Sequence, residues 1–265
     1  MKYSRLHQSG LGRDSMSQLS NKIALVTGGG RGLGRAIALS FAEAGADIAV
    51  ASRTRSQLEG VVNEIRAKSR RGLAIEVDVT DSASVAQMVE TMRKEFGRID
   101  ILVNSAGVGW VSRVVDTDDD VWKLIIDTNL TGTFYSCRDV VRLMIEQKSG
   151  SIINIASVAG AKGPPGLGAY AASKGGVIAL TRVLALENVR HNVRANAIAP
   201  GYFRTDMNAA ALDYPVMGPK IVGRIPMRRA GRPEEIGPLA VYLASDQASF
   251  VTGEIYYISG GEMAQ

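Results

Sequence analysis

Short apolar runs alternate with helical patterns along the chain from Asn21 onward. The first four runs cover residues 23–26, 47–51, 73–79 and 99–103, and continuous apolar runs of this kind are typical of strands buried on both faces. Between them, apolar residues recur every three or four positions, as they do on one face of an α-helix. The alternation predicts an α/β fold in which one parallel sheet carries helices on both faces, because parallel strands need crossover connections.

The second half of the chain continues the pattern with longer elements. Helices are predicted near residues 118–147, 168–190 and 233–244, and strands near 151–155, 193–199 and 254–258. Residues 201–231 lack clear periodicity and contain three prolines. Because a loop of that length in a compact domain usually serves function, we expect a lid over about 201–231. At the start of the second predicted helix, Thr54 and Gln57 have the spacing of a capping box.

The chain length of 265 residues suits one large α/β domain. We expect this domain to cover residues 21–265 and to follow a flexible tail over 1–20, which lacks a periodic pattern. The single cysteine, Cys137, excludes an intramolecular disulfide and fits a reducing compartment, which predicts a cytoplasmic protein. The two histidines, His7 and His191, are far apart in sequence, so no metal site is predicted.

The charge and hydropathy of the chain exclude two kinds of partner. The net charge of +5 comes from scattered Lys and Arg residues without a nucleic-acid-binding signature, so we expect no nucleic-acid partner. No apolar run approaches the length of a membrane span, so no membrane association is predicted.

Glycines crowd the connection between the first predicted strand and the first predicted helix. Residues 28–34 read Gly-Gly-Gly-Arg-Gly-Leu-Gly. Glycines at such a turn let backbone N–H groups approach a pyrophosphate, which then faces the positive end of the following helix. The position of this glycine loop between a strand and a helix therefore predicts a dinucleotide site.

The end of the second predicted strand indicates which dinucleotide is bound. An acid there would bind the ribose hydroxyls of NAD, whereas an arginine nearby accommodates the 2′-phosphate of NADP. The strand ends at Ser52 and Arg53, with no acid, and Arg31 in the glycine loop is a second candidate. The pattern favours NADP(H), with NAD(H) as the alternative.

Tyr170 and Lys174 lie four residues apart in a predicted helix, so their side chains share one face. Because a nearby cation favours phenolate over phenol, we expect Lys174 to lower the pKa of Tyr170 toward the range useful for acid–base work. Ser157 lies thirteen residues before Tyr170, just past a predicted strand, and Asn129 lies in the long helical stretch before it. This set predicts a site that moves a proton.

These motifs resemble those of the short-chain dehydrogenase/reductase family over nearly the whole chain, from Lys22 to about Gly261. With Thr27 the glycine loop is similar to the family's T-G-x-x-x-G-x-G fingerprint, and residues 104–107, Asn-Ser-Ala-Gly, are similar to its usual Asn-Asn-Ala-Gly. The resemblance implies a single-domain Rossmann-type doubly wound parallel sheet, a nicotinamide cofactor and a small carbonyl or alcohol substrate. The cofactor-binding residues predicted from the resemblance and from the strand ends are Gly28, Gly30, Arg31, Gly32, Leu33, Gly34, Ser52, Arg53, Asp78, Val79, Asn104, Ala106, Gly107, Tyr170, Lys174, Pro200, Gly201 and Thr205.

The same resemblance implies a catalytic role for four residues. Ser157 would hold the substrate oxygen, and Tyr170 would exchange a proton with that oxygen. Lys174 would also grip the nicotinamide ribose, and Asn129 would anchor a water chain that replaces the proton. Because open α/β sheets bind ligands at the carboxyl ends of their strands, we expect the segments that follow six predicted strands to converge at one edge.

The resemblance also implies a homotetramer, with a dimer as the alternative, in which the two longest helical stretches pair between subunits and the C-terminal strand forms a second contact. These stretches carry apolar residues beyond the needs of one buried face. They are Val140, Val141 and Met144 in the first stretch, and Ile178, Val183 and Leu184 in the second.

Several readings of the substrate and activity remain open. Near residues 193–208 the sequence resembles sugar-acid and gluconate-type members of the family, and members that reduce 3-oxoacyl thioesters look similar too. The alternatives are therefore an NAD(H)-dependent sugar-acid or polyol dehydrogenase of the family and a 3-oxoacyl-thioester reductase. A serine hydrolase using Ser157 and His191 would lack the G-x-S-x-G elbow. A non-catalytic dinucleotide sensor would have lost part of the Asn, Ser, Tyr and Lys set, and all four are present here.

Overall fold

The computed structural model describes residues 18–265. The predicted tail therefore lies outside the described residues up to position 17. Leu19 does not behave as tail: its side chain is fully buried in a core cluster, and its backbone N–H donates to the carbonyl of Ala44 at 2.8 Å. The folded domain thus begins before residue 21, because an apolar side chain at position 19 fills the base of the core.

Seven parallel strands form one sheet in the order β3-β2-β1-β4-β5-β6-β7. They are β1 (Ile23–Thr27), β2 (Asp47–Ser52), β3 (Gly72–Glu76), β4 (Ile101–Asn104), β5 (Gly150–Ile155), β6 (Val193–Pro200) and β7 (Ile255–Ile258). From the centre of the sheet, β1, β2 and β3 follow one another toward one edge, and β4 to β7 follow one another toward the other edge. The order of the strands therefore reverses between β1 and β4. Such a reversal is where doubly wound sheets open a crevice for a ligand. The predicted α/β class is confirmed.

Helices cover both faces of the sheet. They are α1 (Gly32–Glu43), α2 (Arg55–Ala67), α3 (Ser82–Phe96), α4 (Asp119–Ile126), α5 (Gly132–Gln147), α6 (Ala159–Lys162), α7 (Gly168–Asn188), α8 (Ala209–Asp213), α9 (Met217–Gly223) and α10 (Gly237–Ala244). Successive residues of a strand point to opposite faces of the sheet, so they belong to two separate hydrophobic cores, one on each face. Val26 and Val50 pack with α1, α2 and α10, whereas Leu25 and Leu102 pack with α3, α5 and α7.

Two stretches differ from the sequence prediction. The helix predicted over 118–147 is interrupted by a π-helical turn, Asp127–Thr131, between α4 and α5. The predicted lid is not one irregular loop, because it contains α8 and α9 and is closed at its base by a backbone bridge between Phe203 and Gly231. A π-turn inside a helix often marks a functional position, and this one contains Asn129.

The residues nominated for a subunit interface belong mostly to the core of one chain. Val140, Val141 and Met144 on α5 are buried against α3 and the sheet, and Ile178 and Leu184 on α7 are buried as well. Of the six, Val183 alone is exposed. For the five buried residues the nomination was wrong, because apolar spacing cannot distinguish a helix face that packs inside its own subunit from one that packs on another; assembly through these helices stays a prediction. Within residues 18–265, no helix is long and apolar enough to cross a membrane.

Candidate active site

A cleft of about 330 Å³ opens at the carboxyl ends of the strands. The glycine loop follows β1, and the ends of β2, β4, β5 and β6 supply further walls. The structure therefore brings the segments that the sequence analysis singled out to one edge of the sheet. Of the predicted site residues, the cleft lining lacks Asn104 and Asn129 alone.

Backbone atoms lie so close to the glycine loop that side chains would not fit at some of its positions. Gly28 has φ +66°, and a Cβ there would lie 2.6 Å from the backbone nitrogen of Ala106. A Cβ on Gly34 would collide with the carbonyl oxygen of Gly28. The helix α1 begins within the loop, at Gly32, and the side chain of its N-cap residue, Arg31, makes no capping hydrogen bond. This cradle of backbone at a helix N-terminus fits a pyrophosphate.

The end of β2 forms the wall beside the glycine loop. A Cβ on Gly30 would lie 3.3 Å from the Ser52 hydroxyl and 3.2 Å from Cβ of Gln57, so these residues enclose one end of the cleft. Gln57 was predicted to cap α2 together with Thr54, but Thr54 makes no side-chain capping bond. Instead both residues line the cleft. Arg53 is exposed beside them and also lines the cleft.

Asp78 is held as a carboxylate at the cleft wall after β3. Its Oδ1 accepts hydrogen bonds from the backbone N–H of Thr80 at 2.9 Å and from the Thr80 hydroxyl at 2.8 Å. The backbone bond from Thr80 is the main cause that lowers the pKa of Asp78, with a smaller contribution from the nearby Arg53 charge and an opposing one from burial. A fixed acceptor therefore faces the cleft at this position.

Tyr170, Ser157 and Lys174 lie together at the other end of the cleft. The Lys174 ammonium donates to the carbonyl oxygen of Ile155 at 2.7 Å and lies 5.9 Å from the centre of the Tyr170 ring. The Ser157 hydroxyl accepts from the backbone N–H of Ala159 at 3.1 Å, which fixes its position past the end of β5. The three side chains thus combine a phenol, a hydroxyl and an amine around one opening.

The pKa of Tyr170 shifts in the direction opposite to the sequence prediction. Burial raises the pKa of this phenol, and the neighbouring Ser157 hydroxyl only partly offsets that effect. Lys174 does not offset this rise, and burial lowers the pKa of its own ammonium to about 8, so that amine is still mainly charged at pH 7. The expectation that the tyrosine pKa lies below its ordinary value is therefore wrong.

Asn129 links two walls of the site without lining the cleft. Its amide oxygen accepts from the backbone N–H of Val108 at 2.8 Å, and its amide nitrogen donates to the Val108 carbonyl at 2.9 Å and to Ser173 Oγ at 3.1 Å. The Ser173 hydroxyl in turn donates to the carbonyl of Tyr170 at 2.7 Å. Both amide protons are used, so this side chain ties the loop after β4 to the helix that carries Tyr170. Its part in a water chain stays a prediction.

Asn104 was predicted to bind the cofactor, but it points into the core. Its amide nitrogen donates to Asn154 Oδ1 at 2.9 Å and to the sulfur of Cys137 at 3.2 Å. The three residues are buried, and burial raises the pKa of the Cys137 thiol to about 12, so that thiol is unreactive. The next residues along the chain, Ser105 to Gly107, are the ones that line the cleft.

The segment after β6 crosses the cleft from one end to the other. A Cβ on Gly32 would lie 3.7 Å from the methyl carbon of Thr205, and the Asp206 carboxylate lies 3.9 Å from the Arg31 guanidinium. Met207 reaches the Tyr170 end, as described below. Sequence reasoning found Pro200, Gly201 and Thr205 but missed Asp206, Met207 and Asn208, which directly follow Thr205 and line the cleft.

The serine hydrolase alternative is excluded by distance. His191 lies in the turn that follows α7, past its end at Asn188, whereas Tyr170 lies in the first turn of α7. At 1.5 Å of rise per residue, these ends are separated by roughly 27 Å. His191 therefore cannot act as a base for Ser157.

The depressed pKa of Lys174 gives a test that needs no substrate. Between pH 8 and 10.5 the unfolded chain holds a proton that the folded chain has lost, since the folded pKa is about 8 and the ordinary value is 10.5. Stability should therefore rise with pH across this window, by roughly one kcal/mol per pH unit. We expect Lys174→Met to remove this rise, measured as the difference in denaturant unfolding between variant and wild type. A difference that stays constant from pH 7 to 10.5 would contradict the buried-amine description.

Comparison with known proteins places the chain among oxidoreductases. The family model described as enoyl-(acyl carrier protein) reductase matches residues 28–262. The chain is 39% identical over 242 residues to the 3-oxoacyl-(acyl-carrier-protein) reductase FabG of Staphylococcus epidermidis, a match that covers 91% of this chain and 98% of that one.

Two solved structures show the same likeness in three dimensions. A gluconate 5-dehydrogenase from Burkholderia cenocepacia in complex with NADP and tartrate is 33% identical, with a TM-score of 0.91 and coverage of 95% of this chain and 98% of that one. An NAD⁺-bound xylitol dehydrogenase is 37% identical, with a TM-score of 0.89 and coverage of 92% of this chain and 99% of that one. The fold and the cleft thus define a Rossmann-type oxidoreductase. The chain belongs to the short-chain dehydrogenase/reductase family.

Proposed function

We propose that this enzyme transfers a hydride between a nicotinamide cofactor and the carbon of a ketone or secondary alcohol, with Tyr170 as the general acid and base. The observation that carries the proposal is the placement of Tyr170, Ser157 and Lys174 at one end of a cleft whose other end is a backbone cradle suited to a pyrophosphate. A dinucleotide bound along this cleft would bring its reactive ring toward the tyrosine.

The residues of the chain supply binding and proton transfer. The Ser157 hydroxyl donates a hydrogen bond to the substrate oxygen, and Tyr170 gives its phenolic proton to that oxygen as the carbonyl is reduced. The nicotinamide, when bound, supplies the hydride to the carbonyl carbon. Water returns a proton to Tyr170, which balances the reaction, and the reverse sequence oxidises the alcohol. A phenol whose pKa is raised by burial is protonated at neutral pH, as an ordinary phenol is, and can therefore donate its proton in the reductive direction.

The proposed cofactor is NADP(H). Ser52 and Arg53 lie at the end of β2 and line the cleft beside the glycine loop. No carboxylate at the end of β2 would repel a 2′-phosphate. Arg53 is exposed and, within residues 18–265, it forms no ion pair. Arg31 is less available, because Asp206 lies 3.9 Å from it. The two related structures were solved with NADP and with NAD⁺, so a fold of this kind accepts both and the residues at β2 decide.

A turnover screen tests the proposal directly. The purified enzyme should oxidise NADPH, followed at 340 nm, when it is given ketones, and should reduce NADP⁺ when it is given secondary alcohols. The names of its relatives indicate which polar and acyl substrates belong in the panel, namely a keto-gluconate and a 3-oxoacyl thioester. If no carbonyl or alcohol compound supports turnover with either cofactor, while both cofactors bind, the enzyme proposal fails and a dinucleotide sensor takes its place.

We further propose that four copies assemble through α4, α5 and α7. Support comes from apolar side chains that the single chain leaves exposed on these helices: Trp122, Leu124, Phe134, Val183 and Leu186. Burial of such surface on a second copy would remove it from water. Light scattering at micromolar concentration should give a mass near four times the 28.2 kDa chain, with a dimer as the next smaller assembly. A monomer at that concentration would contradict the proposal.

A further inference from the structure

Exposed apolar side chains occur in the two segments that flank the Tyr170 end of the cleft, after β4 and after β6. The exposed fraction is 59% for Trp110, 78% for Val111, 77% for Val114 and 59% for Met207. We call these four residues the apolar frame. Single exposed apolar residues are ordinary, but several in neighbouring segments beside a catalytic side chain are typical of a binding surface.

Gly109 locates the apolar frame relative to the tyrosine. A Cβ on Gly109 would lie 3.6 Å from Cδ2 of the Tyr170 ring and 3.6 Å from the sulfur of Met207. Gly109 therefore lies between these two side chains, and Trp110 is the next residue. Met207 thus borders the Tyr170 end of the cleft, and Trp110 begins the segment that leads away from this contact.

The opposite side of the apolar frame is packed onto the segment that leads into α7. A Cβ on Gly166 would lie 3.4 Å from Val111, and a Cβ on Gly168, the first residue of α7, would lie 2.9 Å from Val114. The backbone N–H of Ser112 donates to the Gly166 carbonyl at 2.9 Å and holds the two segments together. The apolar frame is therefore a fixed part of the site rather than a loop remote from it.

The charges around this end of the cleft do not suit an anionic substrate. Of the described residues that line the cleft, three are cationic: Arg31 lies beside Asp206, Arg53 lies at the end of β2, and Lys174 is buried with its ammonium on the Ile155 carbonyl. The cation within the frame segment, Arg113, is paired with Asp116 at 2.6 Å. A substrate carboxylate beside Trp110 would lose water without gaining a partner.

From this geometry we infer that the substrate is a ketone, or the corresponding alcohol, whose carbonyl carries a bulky uncharged hydrocarbon body that packs against the apolar frame. A polyhydroxylated acid does not fit this surface, since its hydroxyl and carboxylate groups would face Trp110, Val111 and Met207. The inference rests on the proposed function and names its substrate class. Burial of an aromatic side chain and a hydrocarbon body against each other is favourable in proportion to the apolar area removed from water.

The chain contains two tryptophans, which provides a binding measurement independent of turnover. In a Trp122→Phe variant, Trp110 is the sole fluorophore of its kind. Titration with 4-tert-butylcyclohexanone in the presence of NADP⁺, which cannot reduce it, should change Trp110 emission and saturate, whereas 5-ketogluconate should leave the emission unchanged. The inference would be overturned if the emission shows that Trp110 is already shielded from water in the free protein and does not respond to the ketone. Another copy of the chain would then cover the apolar frame.

Kinetics supply the second arm. With NADPH, we expect kcat/KM for 4-tert-butylcyclohexanone to exceed that for 5-ketogluconate and for acetoacetyl-coenzyme A by at least tenfold. Trp110→Ala should lower kcat/KM for the cyclohexanone about tenfold, mainly through KM, while Trp110→Phe should retain most of it. For hydroxyacetone, which is too small to reach the apolar frame, kcat/KM should change less than twofold in both variants.

The outcomes separate the inference from the function it rests on. Higher kcat/KM with the keto-acid or the thioester overturns the inference and leaves hydride transfer intact. Saturable quenching of Trp110 by the cyclohexanone without any turnover supports the binding surface and contradicts the proposed function. Equal losses of kcat/KM for the cyclohexanone and for hydroxyacetone in Trp110→Ala also overturn the inference, because they would show a general defect of the site.

Discussion

Replacing Tyr170 by phenylalanine should lower kcat for ketone reduction by roughly 10²- to 10⁴-fold, which is the contribution expected of a positioned acid–base group. The substitution removes one hydroxyl and keeps the ring that lies against Gly109. Melting temperature and cofactor affinity should therefore stay close to those of the wild type. Stopped-flow measurement of NADPH oxidation under single-turnover conditions would isolate the chemical step from product release.

A matched substitution shows whether the loss belongs to proton transfer. Ser173→Ala removes a hydroxyl from the same helix, where it accepts from Asn129 and donates to the carbonyl of Tyr170. This change should loosen the helix and cost far less activity, because the phenol remains. Activity of Tyr170→Phe within a few-fold of the wild type would reject Tyr170 as the proton donor. A similar loss of activity in Ser173→Ala would mean that the position of the Tyr170 side chain, and not proton transfer from its hydroxyl, limits the reaction.

Local patterns in the sequence were sufficient to predict the strands of the sheet and the glycine loop. The strands follow from apolar runs, and the glycine loop follows from a steric demand that involves neighbours in the same strand–turn–helix unit, as the close approach of Gly34 to Gly28 shows. The pairing of Tyr170 with Lys174 follows from helical spacing alone. These features depend on residues that are close together in the chain, so a pattern reveals them, whereas the approach of Ala106 to Gly28 comes from a distant segment and is seen only in the structure.

Features that depend on tertiary burial were not accessible in this way. The spacing of Tyr170 and Lys174 is right, but the direction of the tyrosine pKa depends on how deeply both groups are enclosed. Asn104 has the position of a cofactor-binding residue in the sequence, yet its side chain turns toward Asn154 and Cys137 beneath the sheet edge. A sequence motif fixes which segment reaches the cleft but not which side of that segment faces it.

The apolar residues of α5 illustrate the same limit. Val140 and Met144 were expected at a subunit interface, and the structure buries them against the sheet of their own chain. The exposed apolar residues that support assembly, such as Phe134 and Leu186, lie on other faces of the same helices. Periodicity reports that a helix has apolar faces, and only the packed structure reports which face is already covered.

The second large effect concerns cofactor choice, and we expect kcat/KM with NADPH to exceed that with NADH by at least tenfold. Arg53 follows β2 directly, lines the cleft and is exposed, so its planar guanidinium is free to meet a 2′-phosphate through two parallel hydrogen bonds. One charge-assisted contact of this kind contributes about 1.5–3 kcal/mol. At about 1.4 kcal/mol per factor of ten, the contact corresponds to roughly ten- to more than a hundredfold in affinity.

Three substitutions test the assignment. Arg53→Ala should remove most of the preference by weakening NADPH alone, and Ser52→Asp should reverse it, because a carboxylate there repels the phosphate and accepts hydrogen bonds from the ribose hydroxyls of NADH. Arg55→Ala is the matched control, since Arg55 lies two residues away and is occupied by Glu59 at 2.8 Å. It removes the same charge from the surface and should leave the ratio within about twofold, because an exposed charge paired with Glu59 acts on the 2′-phosphate only through a field that salt screens. An equal or higher kcat/KM with NADH in the wild type would reject NADP(H) as the preferred cofactor. A parallel loss in Arg53→Ala and Arg55→Ala would instead show that long-range charge, rather than recognition at the end of β2, draws the phosphorylated cofactor to the cleft.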